Sequence, residues 1–119
     1  MEKLIFLVDD TDSILTLAAS VLDDDYRVLT MMSAEKMFSL LSKKRPDLII
    51  LDVEMPDLGG IEAAVSLKEN NDWQDIPVMF LTGHIDDSII SKAGDLKALG
   101  VIDKSELSST LLSRVKEVI

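Results

Sequence analysis

The chain has 119 residues, of which 47% are hydrophobic and 29% charged, and its formal net charge is −10. This length and composition are typical of one globular domain with its own core. The negative charge disfavours non-specific binding to nucleic acids or anionic membranes and favours solubility and cationic partners. The lack of cysteine excludes disulfides, cysteine-ligated zinc and a thiol nucleophile. The opening MEKLIFLV is too short an apolar run for a signal peptide or membrane span, so we expect a cytoplasmic protein without membrane insertion.

The first half of the chain predicts three strands, each followed by a helix. The strands are the apolar runs LIFLV (4–8), YRVLTM (26–31) and LIIL (48–51). The second of these is weaker and is expected nearer a sheet edge. The apolar face of the first helix follows helical spacing at Ile14, Leu17, Ala18, Val21 and Leu22. The second helix opens at Ser33, and Gly59-Gly60 lead into the third.

The second half predicts two further strand–helix pairs. Their strands are IPVMFLT (76–82) and GVID (100–103). The fourth helix follows Gly83, is weakened by Gly94 in its interior, and has its apolar positions at Ile85, Ile89, Ala93 and Leu96. The last helix uses Leu111, Leu112, Val115, Val118 and Ile119.

Five successive strand–helix pairs predict a three-layer α/β domain over residues 1–119. Apolar strands that alternate with amphipathic helices are typical of a parallel sheet covered on both faces. Parallel strands end at the same edge of a sheet, which is where open α/β folds bind ligands. The polar residues that follow the strands should therefore converge at this edge. They are Asp9, Asp10, Asp52, Thr82 and Lys104.

This convergence predicts a metal and phosphoryl site. Crowded carboxylates repel each other unless one is protonated or a cation is present. A set of oxygen ligands favours a hard divalent ion, Mg²⁺ or Mn²⁺. Once the charge is neutralised, a carboxylate can accept a phosphoryl group, and the Lys104 ammonium and Thr82 hydroxyl can stabilise its oxygens.

Each of these residues also has a plainer interpretation. Acidic residues after strands often cap helices, and Asp52 can simply end a strand. Thr82 can be a β-branched filler residue, and Lys104 can be a solvated surface lysine. Their joint occurrence at one sheet edge favours the functional interpretation.

Four segments make the chain resemble a response regulator receiver domain, and the resemblance extends over essentially its whole length. They are LVDD (7–10), LIILDVEMPDLGG (48–60), IPVMFLTG (76–83) and GVIDKS (100–105). The resemblance implies a flavodoxin-like, doubly wound sheet of strand order 2-1-3-4-5. It also implies a signalling module of a two-component phosphorelay rather than an enzyme.

The resemblance further implies a role for each site residue. Asp52 would accept a phosphoryl group from a histidine kinase or a histidine phosphotransfer protein, and Thr82 and Lys104 would contact that group. Mg²⁺ would be held by Asp9, Asp10, Asp52 and the backbone carbonyl of Glu54. Pro56 and Gly60 would shape the neighbouring loop. A downstream protein target or output domain would respond, and this domain would not itself bind nucleic acid.

Three positions depart from the family pattern. Val101 stands where a Tyr or Phe usually moves inward, and a valine has no ring to relocate. Ser105 replaces a proline that normally follows a cis bond. Because a non-proline cis bond costs about 2.5–4 kcal/mol, we expect Lys104–Ser105 to be trans. Lys97 stands where a glycine often ends the fourth helix.

Two further residues and three rival functions complete the predictions. Glu54 and His84 stand where family members tune the lifetime of the acyl phosphate, although His84 is more simply explained as an exposed loop residue. A haloacid-dehalogenase-type phosphatase would need aspartate in place of Glu54. A receiver-like interaction domain that is not phosphorylated is the main alternative, because Val101 and Ser105 alter the switch. A flavodoxin-like nucleotide binder would need a glycine-rich loop after the first strand, which the sequence lacks.

Overall fold

A single parallel sheet places the polar ends of the strands along one edge. The computed structural model describes residues 2–119. Its strands are β1 (Leu4–Val8), β2 (Arg27–Met31), β3 (Leu48–Asp52), β4 (Val78–Thr82) and β5 (Val101–Asp103). They pair in parallel in the order β2-β1-β3-β4-β5. This confirms the doubly wound, five-stranded fold expected from the sequence.

Helices cover both faces of the sheet. They are α1 (Asp12–Leu22), α2 (Ala34–Leu41), α3 (Gly60–Lys68), α4 (Asp87–Asp95) and α5 (Leu107–Val118), with a 3-10 turn, Lys104–Glu106, between β5 and α5. Helices α1 and α5 pack on the face that holds Ile5 and Leu7, and α2 and α3 pack on the face of Phe6 and Val8. Every residue of β3 and β4 is buried, as expected for central strands of a covered parallel sheet.

The predicted apolar face of α1 is wrong at one position. Leu17 belongs to the apolar series in the sequence, yet it is 38% exposed, whereas Leu15 is buried together with Ala18 and Leu22. Helix α1 contains more apolar residues than its inner face can hold. Spacing alone therefore left more than one possible face, and packing against the sheet and α5 selects the one that contains Leu15.

Helix α4 begins later than the sequence predicts. Its first residue is Asp87, because the side chain of Asp86 caps the helix by accepting a hydrogen bond from the Ile89 amide at 2.8 Å. Ile85 therefore lies before the helix and is partly exposed. Among residues 2–119, no helix is both long and apolar enough to cross a membrane.

Candidate functional site

Three carboxylates meet at the carboxyl-terminal edge of the sheet. Asp9 and Asp10 directly follow β1, and Asp52 is the last residue of the neighbouring strand β3. The side chains of Asp9 and Asp52 are fully buried, whereas Asp10 is half-buried. One carboxylate oxygen from each of the three residues lies within 4.8 Å of the others. The structure thus brings together the acidic residues that the sequence predicts to converge.

Lys104 is the cation of this cluster. Its Nζ atom lies 3.0 Å from Oδ2 of Asp9 and 3.1 Å from Oδ1 of Asp52, and its side chain is 19% exposed. One ammonium group faces three carboxyl groups, so the site keeps an excess of negative charge when all are ionised. The extended strand β5 delivers Lys104 to this position from the far edge of the sheet.

The proton affinities of Asp52 and Lys104 reflect burial and crowding. The pKa of Asp52 is raised to about 6, chiefly by burial and next by the charge of Asp9, although Lys104 and the hydrogen bond from the Glu54 amide oppose the change. Burial alone would lower the pKa of Lys104. Its contacts with Asp9 and Asp52 outweigh that effect, so the pKa of Lys104 is raised. The lysine therefore stays charged, while Asp52 takes up a proton at a higher pH than an ordinary aspartate does.

Each buried carboxylate accepts a backbone hydrogen bond on one oxygen, and the other oxygen of Asp52 has no donor within residues 2–119. Oδ1 of Asp9 accepts from the Thr11 amide at 2.8 Å, and Oδ1 of Asp52 accepts from the Glu54 amide at 3.1 Å. Oδ2 of Asp52 has no hydrogen bond, whereas Oδ2 of Asp9 lies 3.0 Å from the Lys104 ammonium. Buried oxygens without donors cost about 1–3 kcal/mol each. Neighbouring carboxylate oxygens that have free lone pairs are suitable ligands for a hard divalent cation.

Thr82 connects the carboxylate cluster to the loop after β4. Its hydroxyl lies 3.0 Å from Oε1 of Glu54 and 3.0 Å from the carbonyl oxygen of His84, and it accepts from the His84 amide at 3.2 Å. Because the hydroxyl has one proton, Glu54 and His84 compete for it. The His84 residue is exposed. The backbone carbonyl of Glu54 as a metal ligand stays a prediction.

The loop after β3 is held close to Asp52 by Gly60. A Cβ atom at this position would overlap the carbonyl group of Asp52, so only glycine allows this approach. The Gly60 amide in turn donates to the carbonyl oxygen of Val53 at 3.0 Å. Pro56 lies in the same loop, which then enters α3. The loop backbone thus fixes the end of β3 on which Asp52 stands.

The segment around Lys104 differs from what the family resemblance alone would suggest. No cis peptide bond occurs within residues 2–119, so Lys104–Ser105 is trans, as expected for a serine. Asp103 accepts hydrogen bonds from the amide and hydroxyl of Ser105, which lower the pKa of Asp103. Sequence reasoning did not identify Asp103, although an Asp two residues before a Ser is a signal for such a turn. Val101 is half-buried and lies beside Phe80 of β4.

The comparisons with known proteins agree with this geometry. The family model of the response regulator receiver domain matches residues 5–116. The chain therefore belongs to the response regulator receiver family, whose members are signalling modules of two-component systems and generally not enzymes.

Individual relatives cover this chain almost completely. Protein RcaC of Microchaete diplosiphon is 29% identical over 120 residues, which are 98% of this chain and 18% of RcaC. The structure of chemotaxis protein CheY4 of Vibrio cholerae has a TM-score of 0.92 and 26% identity, with 100% of both chains covered. The Mn²⁺-bound form of response regulator Rcp1 has a TM-score of 0.78 and 26% identity, with 98% of this chain and 88% of that chain covered.

The curated relatives are longer than this chain. Eight of them are covered over only 12% to 52% of their length. The shared part is the receiver domain.

Proposed function

We propose that this receiver domain accepts a phosphoryl group on Asp52 in a two-component phosphorelay. The donor would be the phosphohistidine of a histidine kinase or of a histidine phosphotransfer protein, or a small phosphodonor. The observation that carries the proposal is the position of Asp52. It ends a central strand, is fully buried, and has one carboxylate oxygen without a donor beside Asp9, Asp10 and Lys104.

The donor set suits a divalent cation. Asp9, Asp10 and Asp52, with the backbone carbonyl of Glu54, would hold Mg²⁺ or Mn²⁺. The bound ion would neutralise the carboxylates and stabilise the negative charge of the phosphoryl oxygens. The crowded oxygens of Asp9, Asp10 and Asp52, of which Oδ2 of Asp52 lacks a donor, support this assignment.

The transfer step uses groups that the fold already holds in place. An oxygen of the ionised Asp52 carboxylate attacks phosphorus, the bond from phosphorus to the histidine nitrogen breaks, and its electron pair returns to the imidazole ring. The product is an acyl phosphate on Asp52, which water later hydrolyses to phosphate and the free carboxylate. Lys104 lies at hydrogen-bonding distance from Asp52 and would pair with the phosphoryl oxygens. Thr82 would turn its hydroxyl from Glu54 or His84 towards the phosphoryl group.

Phosphorylation would then change how partner proteins bind. When Thr82 moves, its partners Glu54 and His84 lose a hydrogen bond, so the loops after β3 and β4 are the segments that respond. Val101 offers no ring that could follow this movement. A downstream protein target or an output domain would read the change, and His84 and Glu54 would tune how long the acyl phosphate persists. We place this module in the cytoplasm, without direct binding to nucleic acid.

Intact-mass measurement tests the proposal. The protein is incubated with a small phosphodonor and Mg²⁺, beside Asp52→Asn and the control Asp57→Asn. Asp57 is exposed and has φ 66°, a conformation that asparagine tolerates well. Wild type and Asp57→Asn should each gain the mass of one phosphoryl group, and Asp52→Asn should gain none. Chelation of Mg²⁺ should abolish the gain.

Two results would contradict the proposal. An equal mass gain in Asp52→Asn would place the phosphoryl group elsewhere. No gain in wild type with any donor would instead favour an interaction domain that is not phosphorylated.

A further inference from the structure

Lys104 reaches the site from a turn that its two neighbours close. Asp103 is the last residue of β5 and lies opposite Thr82 of β4. The next three residues form a 3-10 turn. Oδ1 of Asp103 accepts from the Ser105 amide at 2.8 Å and from the Ser105 hydroxyl at 2.7 Å. One carboxylate oxygen thus bonds twice to the residue on the other side of Lys104.

Strand pairing and the Asp103–Ser105 contact together restrict the backbone on both sides of Lys104. The strand pairing of β5 with β4 fixes the chain before the lysine, and the Asp103–Ser105 contact fixes it after the lysine. Ordering a free lysine side chain costs rotamer entropy. Because the backbone at Lys104 is already fixed by the turn, ordering the side chain requires no further loss of backbone entropy. The ammonium can then stay between Asp9 and Asp52.

We propose that Asp103 and Ser105 are positioning residues that hold Lys104 in the phosphoryl-acceptor site. They act through the turn and do not touch the carboxylate cluster. The peptide bond after Lys104 is trans. The two hydrogen bonds from Ser105 to Asp103 hold the turn in a fixed conformation. The consequence for phosphoryl transfer rests on the proposed function, whereas the placement of the ammonium can be measured without it.

Chemical acetylation of lysines measures the placement directly. Held between two carboxylates and 19% exposed, Lys104 should react slowly with an acetylating reagent, while Lys116, 53% exposed, serves as an internal reference. In Asp103→Ala, we expect Lys104 to react roughly fivefold faster relative to Lys116, as the loss of hydrogen bonds that order the turn would allow. Asp103→Asn keeps a side-chain oxygen that can accept both bonds and should stay near the wild-type rate. Peptide mass spectrometry gives the extent of modification.

A matched variant distinguishes the positioning of Lys104 from the general effect of removing an aspartate that caps a helix. Asp86 caps α4 in the same way, by accepting from the Ile89 amide at 2.8 Å, and has no contact with Lys104 among its hydrogen bonds and ion pairs. Asp86→Ala should leave the reactivity of Lys104 unchanged. Ser105→Ala removes only the hydroxyl bond and keeps the amide bond. It should therefore give a smaller increase than Asp103→Ala, and it serves as a second probe if that variant folds poorly.

Phosphorylation rates then show whether Asp103 acts through Lys104. With a small phosphodonor, Asp103→Ala should slow the gain of the phosphoryl group roughly fivefold, and Asp103→Asn should restore it. In a Lys104→Ala background the same change should have no further effect, because the residue that it positions is absent.

The outcomes separate this proposal from the proposed function. Unchanged Lys104 acetylation in both Asp103→Ala and Ser105→Ala would overturn the positioning role, and so would an equal slowing of phosphorylation by Asp103→Ala with and without Lys104. If wild type gains no phosphoryl group while Asp103→Ala exposes Lys104, the proposed function fails and the positioning role stands.

Discussion

Asp52 is the residue whose chemistry the fold changes most. Its carboxyl group has an ordinary pKa of 3.8, which burial in the site raises to about 6. In the unfolded chain the group releases its proton near pH 3.8, whereas in the metal-free native protein it keeps the proton up to about pH 6. The unfolded state therefore binds fewer protons between these values. This group alone makes the metal-free protein less stable as the pH rises from 3.8 to 6.

The same shift predicts how Mg²⁺ binding depends on pH. A metal ligand must be ionised, so a proton on Asp52 competes with the ion. With a pKa of about 6, the ionised fraction falls about tenfold between about pH 7 and pH 5, and the Kd for Mg²⁺ should rise about tenfold. Isothermal titration calorimetry at several pH values measures this. The variant Asp57→Asn should behave like wild type, and a Kd that does not vary with pH would contradict the raised pKa.

Glu54 sets a second prediction at the residue scale. Its carboxylate accepts from Thr82 at 3.0 Å, so it occupies the hydroxyl that a phosphoryl group needs and adds a negative charge near the anionic donor. Glu54→Gln removes the charge but keeps the shape. It should speed phosphorylation by a small donor roughly threefold. Initial rates from intact mass provide the measurement.

A control on α3 separates this local effect from the change in net charge. Glu62 is exposed in the first turn of that helix. Glu62→Gln changes the net charge equally and should leave the rate unchanged. A rate in Glu54→Gln that is no faster than wild type would show that the charge of Glu54 does not slow phosphorylation.

At the scale of elements, α4 is the least anchored helix. Ala93 is its only buried residue, whereas Ile90 is 54% exposed. The helix ends in a motif that normally contains glycine. The Ala98 amide donates to the carbonyl of Ala93, the Lys97 amide donates to that of Gly94, and Lys97 has φ 57°. A lysine in this left-handed conformation is strained, since its Cβ approaches the neighbouring carbonyl oxygen.

Replacement of Lys97 by glycine should therefore stabilise the protein. Glycine would relieve a strain of about 1 kcal/mol or more at this position. Part of this gain is offset because glycine has greater conformational freedom in the unfolded chain. We expect Lys97→Gly to raise the free energy of unfolding by about 0.5 kcal/mol, measured by urea denaturation. The control Lys92→Gly changes an exposed lysine inside the same helix and should instead lower it by about 1 kcal/mol. Destabilisation by Lys97→Gly would contradict the left-handed helix end.

At the scale of the whole molecule, charge is the dominant feature. The net charge of −10 includes carboxylates that the fold crowds at one sheet edge, where Oδ2 of the buried Asp52 has no donor. A ligand that binds the native state alone shifts the folding equilibrium towards that state. The proposed binding of a divalent cation to this cluster would therefore couple folding to that ion.

This coupling predicts that Mg²⁺ stabilises the protein by an amount set by its Kd. At about 100 times the Kd, Mg²⁺ should add about 2.7 kcal/mol to the free energy of unfolding. Urea denaturation with Mg²⁺, and with NaCl at equal ionic strength, separates site binding from screening. The gain should be lost in Asp52→Asn. Equal stabilisation by NaCl would show that the acidic edge responds only to ionic strength.

The sequence by itself determined the order of the elements and the edge at which the polar residues meet. Strand and helix periods are local properties, and in a parallel sheet all strands point the same way, so Asp9 and Asp52 had to end at one edge. Lys104, which follows the fifth strand, and the loop that contains Glu54 could be assigned to that edge for the same reason. Their roles in phosphoryl transfer stay predictions.

Only the tertiary structure decided the contacts that give the site its chemistry. Whether Leu15 or Leu17 faces the core depends on the neighbouring helix and sheet, which the spacing within α1 does not contain. The raised pKa of Asp52 results from burial by residues distant in the sequence. The hydrogen bond from Thr82 to Glu54 joins residues 28 positions apart. Desolvation and hydrogen-bond geometry are properties of the packed molecule, so no local pattern in the sequence can specify them.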